Sequence, residues 1–362
     1  MARATILDLL DQLAPEAQKA FIDAVADIAS DTRMTALEAA IQRGDVQSAL
    51  RVLSLEDGYF APLDRALRGA YETGGDWAMA EFVRQGRGQG VQVAGRFDSR
   101  NLRAERFLRE QSSQLITGPY GLVEEIRDVS RDVLSRGVAE GRAPRSLALD
   151  LVGRKNRATG RREGGVIGLT DEQAGWARKA EADFRSGDPA RMRKYLDRNT
   201  LGRQDRARIE RAIASGGKMS AEDVRRTVAS YRSNVLRYRG EVIARTEVLA
   251  SLHEAQDEGL RQMVDQGKVR QQDIDETWDS AEDSATRTSH RALDGAQRGP
   301  DGAFTTITGA RLRYPGDTSL GAPASEVVQC RCRLVVKVEF IAGLRDRLTP
   351  EELAEARAAL VE

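Results

Sequence analysis

The stretch EDVRRTVASYRSNVLRYRGEVIARTEVLASLHEAQDEGLRQMV, Glu222 to Val264, decides the architecture, because it reads as one long helix. Val224, Val228, Tyr231, Val235, Tyr238, Val242, Leu249 and Leu252 follow the alternating four-and-three spacing that keeps an apolar stripe on a 3.6-residue helix. Arg245 falls on that stripe, where an aliphatic residue is due. An unpaired buried charge is costly, so an acid is expected to meet it. The segment from Trp278 to Phe340 offers Asp283, Asp294 and Asp317.

With 362 residues the chain can build two or more domains with their own cores. Lys+Arg 56 balance Asp+Glu 56, so no global basic field draws it to nucleic acid or membrane, and any such contact must be local. A charged fraction of 31% with 5% aromatic residues suits a helix-rich protein laced with surface ion pairs, not a barrel or sandwich. No apolar run reaches the roughly 20 residues that a bilayer crossing needs. The N-terminus lacks the basic-then-apolar layout of a secretory signal, so a cytosol-like or assembled setting is expected. Cys330 and Cys332 flank a single residue and make no disulfide framework.

Outward from the long helix, the pattern divides the chain as follows. Residues 1–83 read as a helical unit with a hairpin folded about Gly44 and Asp45 and anchored by Trp77 and Phe82. Residues 84–101, rich in glycine and arginine, read as a flexible connector, since no P-loop lysine and no preceding strand support a phosphate cradle. A helical domain follows over 102–221, with a capping box formed by Thr170 and Gln173. Its most basic loop carries Arg154, Lys155, Arg157, Arg161 and Arg162, which can clamp phosphates. The bland reading is a solvated loop, because no aromatic residue is there to stack on bases.

After the central helix, 222–264, a small α+β module is expected over 265–345, and a last helix over 346–362. The fold class is therefore mostly α, with the long helix packed against a short antiparallel sheet. In the module a helix is expected from Ala281 to Leu293, placing Asp283, Arg287, His290 and Asp294 on one face. Short strands are expected at Phe304 to Ile307 and Arg311 to Tyr314, with turns at Pro300-Asp301-Gly302 and Pro315-Gly316-Asp317. The last strand alternates: Cys330, Cys332, Leu334, Val336, Val338 and Phe340 face one way, and Arg331, Arg333, Lys337 and Glu339 the other.

Ile243-Ala-Arg-Thr-Glu247, then Trp278, Asp283, Arg287 and His290, then Phe304, Pro315-Gly-Asp317 and Cys330-Arg-Cys332, together resemble the Mu F-like minor head proteins of tailed bacteriophages, also called the phage head morphogenesis family. The resemblance covers best Val242 to Val338 and, more loosely, the helical region from about Phe97, including the basic Gly-Arg-Arg-Glu-Gly-Gly loop before Thr170. It implies a structural component of the phage head that works in head assembly and DNA packaging. The implied partners are the portal protein, capsid and scaffolding components and the packaged DNA, without a membrane. The implied location is the virion head interior, and the host cytoplasm during assembly. No catalytic residue comes with it; Arg245, Glu247, Asp283, Arg287, His290 and Asp317 come as a structural motif.

Three readings compete with that one. His290, Cys330 and Cys332 can ligate zinc, with Asp283, Asp317 or His253 as a fourth ligand. Against it, a Cys-x-Cys pair is not the usual ligand spacing, so no cofactor is expected and the plainer reading is a hydrogen-bonded His290 packed by reduced thiols. His253 reads as a helix-surface histidine. An enzyme built from Arg245, Glu247 and His290 lacks a recognised catalytic spacing, so no enzymatic activity is expected. A DNA-binding protein would rest on the basic loop alone, against a net charge of zero.

Overall fold

The structure, a computed structural model, describes residues 5–299, 302–345, 349, 351 and 352. The helix expected over 346–362 and the Pro300-Asp301 part of a turn fall almost wholly outside them. Helices α1 (Ile6–Asp31), α2 (Met34–Gln42), α3 (Val46–Val52), α4 (Ala61–Gly88), α5 (Leu102–Ser112), α6 (Leu122–Ala139) and α7 (Pro144–Val152) lead to a hairpin of β1 (Arg154–Lys155) and β2 (Arg162–Glu163). Then come α8 (Asp171–Arg185), α9 (Pro189–Arg193), α10 (Arg203–Ala214) and the long α11 (Ala221–Asp265). The rest is β3 (Ile274–Asp279), α12 (Thr288–Arg291), β4 (Phe304–Thr305), β5 (Arg311–Leu312), α13 (Ala324–Val327), β6 (Arg333–Val338) and α14 (Phe340–Arg345). Among the described residues the sheets are β1-β2, β3-β6 and β4-β5, each two-stranded and antiparallel. The chain is thus mostly α with a small α+β module, as its periodicities predict.

Two compact units share these elements, and each is assembled from separate segments of the chain: Met1–Ala17, Arg65–Arg109 and Val242–Glu362 in the first, Gln18–Asp64 and Glu110–Glu241 in the second. Both α1 and α11 pass from one unit into the other along their length.

In the second unit, Val224, Val228, Tyr231 and Val235 of α11 are buried against α8, α9 and α10, in a core that includes Phe184 and Tyr195. Each buried valine contributes on the order of 1.5–3 kcal/mol. The capping box opens α8 as predicted: Thr170 Oγ1 accepts the Gln173 N–H at 3.1 Å, and the Gln173 side chain accepts the Thr170 N–H at 3.2 Å. The α2–α3 hairpin turns at Gly44, whose φ of +69° suits glycine, and Asp45 caps α3 by accepting the Ser48 N–H at 2.9 Å.

The apolar stripe of α11 does not run on unbroken. Tyr238 is 43% exposed and Val242 half-buried, on either side of the point where the helix leaves the second unit. The buried arginines of the helix are Arg232 and Arg239, two turns apart, and not Arg245. Arg239 donates to the Gly168 carbonyl at 2.6 Å, pairs with Glu125 and lies over the Phe21 ring; Arg232 pairs with Asp150 at 3.0 Å.

In the first unit, β3 pairs along its whole length with β6, Ile274 opposite Val338 and Asp279 opposite Arg333. Burial alternates from Cys330 to Phe340 as the sequence predicts, although the strand itself spans only Arg333–Val338 and Phe340 opens α14. The other edge of β6 is closed by side chains. Gln85 Nε2 donates to the Val336 carbonyl at 3.0 Å while its Oε1 accepts the Val338 N–H at 2.9 Å, and Gln89 treats Val338 O and Phe340 N the same way at 2.6 and 2.8 Å. An unpaired strand edge is a liability, and two glutamines one helical turn apart remove it. They also overturn the flexible connector: α4 continues to Gly88, and farther along Asp98 exchanges two backbone hydrogen bonds with the Gln262 side chain at 2.9 Å each. Glycine at 74 lets α4 approach Leu252 of α11, to which a Cβ would stand only 3.0 Å away.

Candidate functional site

From Ser251 to Leu260 every residue of α11 is buried, including His253, Glu254, Gln256, Asp257 and Glu258. A helix covered on all sides must satisfy its charges from neighbouring elements. Arg313 donates to Glu254 at 2.8 Å and the Tyr314 hydroxyl donates to the same oxygen at 2.5 Å. Arg298 bridges Asp257, at 2.6 Å, and Glu276 of β3. Arg103 and Asn101 each reach Glu258 at 2.8 Å. Burial pushes the Glu254 carboxyl up to about 7 despite Arg313, and that of Glu276 likewise to about 7 despite Arg298. A cleft of about 500 Å³ lies beside this network, lined by Arg261, Glu276, Arg298 and Arg313 among others.

His253 is no surface histidine: it is 0% exposed. Its Nδ1 stands 2.8 Å from the Pro315 carbonyl and its Nε2 accepts the Leu334 N–H at 3.3 Å, an arrangement that fixes the neutral tautomer with the proton on Nδ1. Burial lowers its pKa to about 4. Gln256 donates to the Leu334 carbonyl at 3.4 Å, so α11 continues the edge closure that Gln85 and Gln89 begin.

The second cluster gathers His290 of α12 and the two cysteines that precede β6, all buried. Both Sγ atoms lie 3.5 Å from His290 Nδ1. On the far side of the ring, Nε2 stands 3.1 Å from Glu326 Oε2, an ion-pair distance reached off the hydrogen-bond direction. Ser289 and Thr308 hydroxyls donate to the Glu326 carboxylate at 2.8 and 2.7 Å. Against burial, which raises it, these bonds hold that carboxyl below its usual range. The hydrogen bond from Cys330, with help from His290, pulls the Cys332 thiol down, and the same bond pushes Cys330 up. Trp278 sets its ring edge against the imidazole, with centroids 5.0 Å apart.

Residues 205–335 match the family model described as phage Mu protein F like protein. Over those residues the chain is similar to the phage Mu protein F-like family. Neither a curated protein nor a solved structure matches it. The Mu F-like region runs from α10 into β6 and contains the second cluster and all of the first but Asn101 and Arg103, together with every residue from Ile243 to Cys332 on which the sequence resemblance rests. The basic hairpin lies outside it.

Within the Mu F-like region the expected motif residues part company. Arg245 meets Asp11 of α1 at 2.8 Å, not an acid of the C-terminal module, and Asp11 is 67% exposed. Glu247 is half-buried on α11. The helix expected over 281–293 shrinks to Thr288–Arg291, so Asp283, Arg287, His290 and Asp294 do not share one helical face. Asp283 is the cause: its Oδ1 accepts the Ala285 N–H at 3.0 Å and the Thr286 hydroxyl at 3.1 Å, a local bond set that competes with helix. Asp283 then pairs with Arg331 at 2.5 Å, Arg287 donates to the Val328 carbonyl, and Asp294 accepts the Ser280 N–H at 2.8 Å. Asp317 is buried and clamps its own turn, accepting the Arg313 N–H at 2.8 Å and the Ser319 N–H at 2.9 Å. Of the fourth ligands considered for zinc, Asp283, Asp317 and His253 are thus all engaged elsewhere.

The basic loop ahead of the Mu F-like region is a hairpin, with Arg154 opposite Glu163 and Lys155 opposite Arg162. Gly153 (φ +79°) allows it, since a Cβ there would stand 2.3 Å from the Glu163 carbonyl oxygen. Its five cations are not equivalent. Arg161 pairs with Asp23 and, at 2.8 Å, with Asp27, and Arg162 donates to the Gly153 carbonyl at 3.1 Å, while Arg154, Lys155 and Arg157 are exposed.

Sequence reading missed the acid–arginine network altogether. The only signal was an unusual density of acids, Glu254, Asp257 and Glu258, on a helix whose apolar face had already been counted.

Proposed function

We propose that this chain is a minor structural component of a tailed-phage head, associated with the portal and the capsid interior and acting in head assembly and DNA packaging. The match of residues 205–335 to the Mu F-like family carries the reading. The arrangement of polar groups supports it: Glu254, Asp257, Glu276, Arg298 and Arg313 spend their hydrogen bonds on one another and tie α11 to β3 and to the segments around β4 and β5. The one nucleophile beside a histidine base among the described residues, Cys332 or Cys330 at His290, is closed off from solvent, so we read the region as scaffold rather than enzyme. Its partners on this reading are the portal protein, capsid and scaffolding components and packaged DNA, in the virion head and, during assembly, the host cytoplasm. No helix among the described residues is long and apolar enough to cross a membrane.

The test uses the parent phage. Procapsids and filled heads are purified and their proteins identified, and a nonsense mutant in this chain is scored for empty or malformed heads. Co-sedimentation with procapsids and loss of filled heads in the mutant are expected. Absence of the chain from particles at every stage overturns the reading.

A further inference from the structure

We propose that His290, Cys330 and Cys332 form a binding site for one zinc ion, with Glu326 holding the histidine ligand from behind. Three buried ligand atoms, Nδ1 and two sulfurs, lie within 4.8 Å of one another. Zinc bonds of about 2.0 Å to nitrogen and about 2.3 Å to sulfur, spread tetrahedrally, separate those two atoms by about 3.5 Å. Both thiols stand 3.5 Å from the imidazole nitrogen.

A sulfur–nitrogen hydrogen bond has a similar length, so the decision rests on direction. A neutral imidazole nitrogen carries one in-plane lone pair and accepts one straight hydrogen bond. Here two sulfurs converge on the same nitrogen at the same distance, as ligands of one shared cation would. Nδ1, which faces both sulfurs, is the ligand nitrogen, and Glu326 stands behind the other. Its carboxylate, held by Ser289 and Thr308, faces Nε2 and so favours the tautomer with the proton there, leaving the Nδ1 lone pair toward the sulfurs. A carboxylate behind a ligating imidazole is a recurrent device for fixing ring orientation and raising ligand basicity. Two thiolates and a divalent cation sum to zero charge, which suits groups that are 1–2% exposed.

The structure also needs such a tie. Between β3 and β6 the described residues form only helices of four residues and strands of two, too short to hold themselves. The ion would join α12 to the segment entering β6, with α13 braced through Glu326.

The full chain, purified reduced and freed of metal by a chelator, is titrated with zinc and separately with cobalt(II). About one equivalent of either should bind, and cobalt should give thiolate-to-metal charge-transfer absorption that weakens in Cys330→Ser and in Cys332→Ser. Removing a thiol can also unfold the segment, so Glu326→Gln serves as a second variant. It keeps all three ligands and should bind zinc about 10–100-fold more weakly with an unchanged circular dichroism spectrum. A folded, reduced chain that takes up neither metal, a cobalt spectrum indifferent to both serine variants, or wild-type zinc affinity in Glu326→Gln overturns the proposal.

Discussion

Gln85 pairs with Val338 as a neighbouring strand would, its side-chain oxygen taking the N–H at 2.9 Å while its nitrogen binds the Val336 carbonyl. A helix thereby finishes a sheet that has only two strands. Gln85→Ala strands one donor and one acceptor at the edge of β6 and should cost about 1–3 kcal/mol. Urea unfolding of the full chain reads this directly, and an unshifted midpoint would mean that water replaces the amide without loss.

Two arginines on α11 should behave very differently. Arg239 is buried with its carbonyl and carboxylate partners, and Arg239→Ala should cost about 3 kcal/mol, the low end for a broken buried pair because Glu125 keeps some solvent. Arg245 meets an exposed aspartate, and Arg245→Ala should cost about 0–1 kcal/mol. Thermal melts of the two variants side by side check the contrast. A larger loss at Arg245 than at Arg239 would contradict it.

Opposite pH dependences are expected from His253 and Glu276. His253 titrates near 4 in the fold and near 6.5 unfolded, so its contribution is complete above about pH 6.5 and is lost as pH falls toward 4. Glu276 titrates near 7 in the fold against 4.5 unfolded, so its contribution is complete below about pH 4.5 and is lost as pH rises through 7. Stability measured from pH 4 to pH 8 should therefore lose part of its acid limb in His253→Gln and part of its neutral limb in Glu276→Gln. Parallel curves for wild type and both variants would refute the assignment.

If the β1–β2 hairpin touches DNA phosphates, its exposed cations Arg154, Lys155 and Arg157 do the work, because Arg161 is already paired. Neutralising those three should lower the salt slope of DNA binding by roughly 0.9 per lost phosphate contact, without any change in base preference. Arg161→Gln should leave the slope alone and lower stability instead. A slope that responds to Arg161 and not to the other three would reverse this ranking.

Several features of the protein were legible in its residues. The long helix, read as 222–264, spans Ala221–Asp265. The capping box at Thr170, the turn at Gly44-Asp45 and the buried alternation from Cys330 to Phe340 are likewise where the pattern puts them. Each is set within a turn or a strand, by spacing, by a cap or by a backbone angle that only a few residues tolerate, and such causes travel with the local sequence.

What tertiary structure alone decided is which charges are buried and what meets them. Arg239 and Arg245 look alike on a helix, yet Gly168 and Glu125 arrive at one and an exposed Asp11 at the other. Glu258 is buried because Arg103, 155 residues earlier in the chain, reaches it; Glu254 because Arg313 does. The convergence of two cysteines and a glutamate on opposite sides of His290 has the same origin, as does the assembly of each unit from non-adjacent segments. Periodicity ranks the faces of a helix by the residues on it, whereas the desolvation of a charge depends on atoms brought from elsewhere, and no local pattern encodes their arrival.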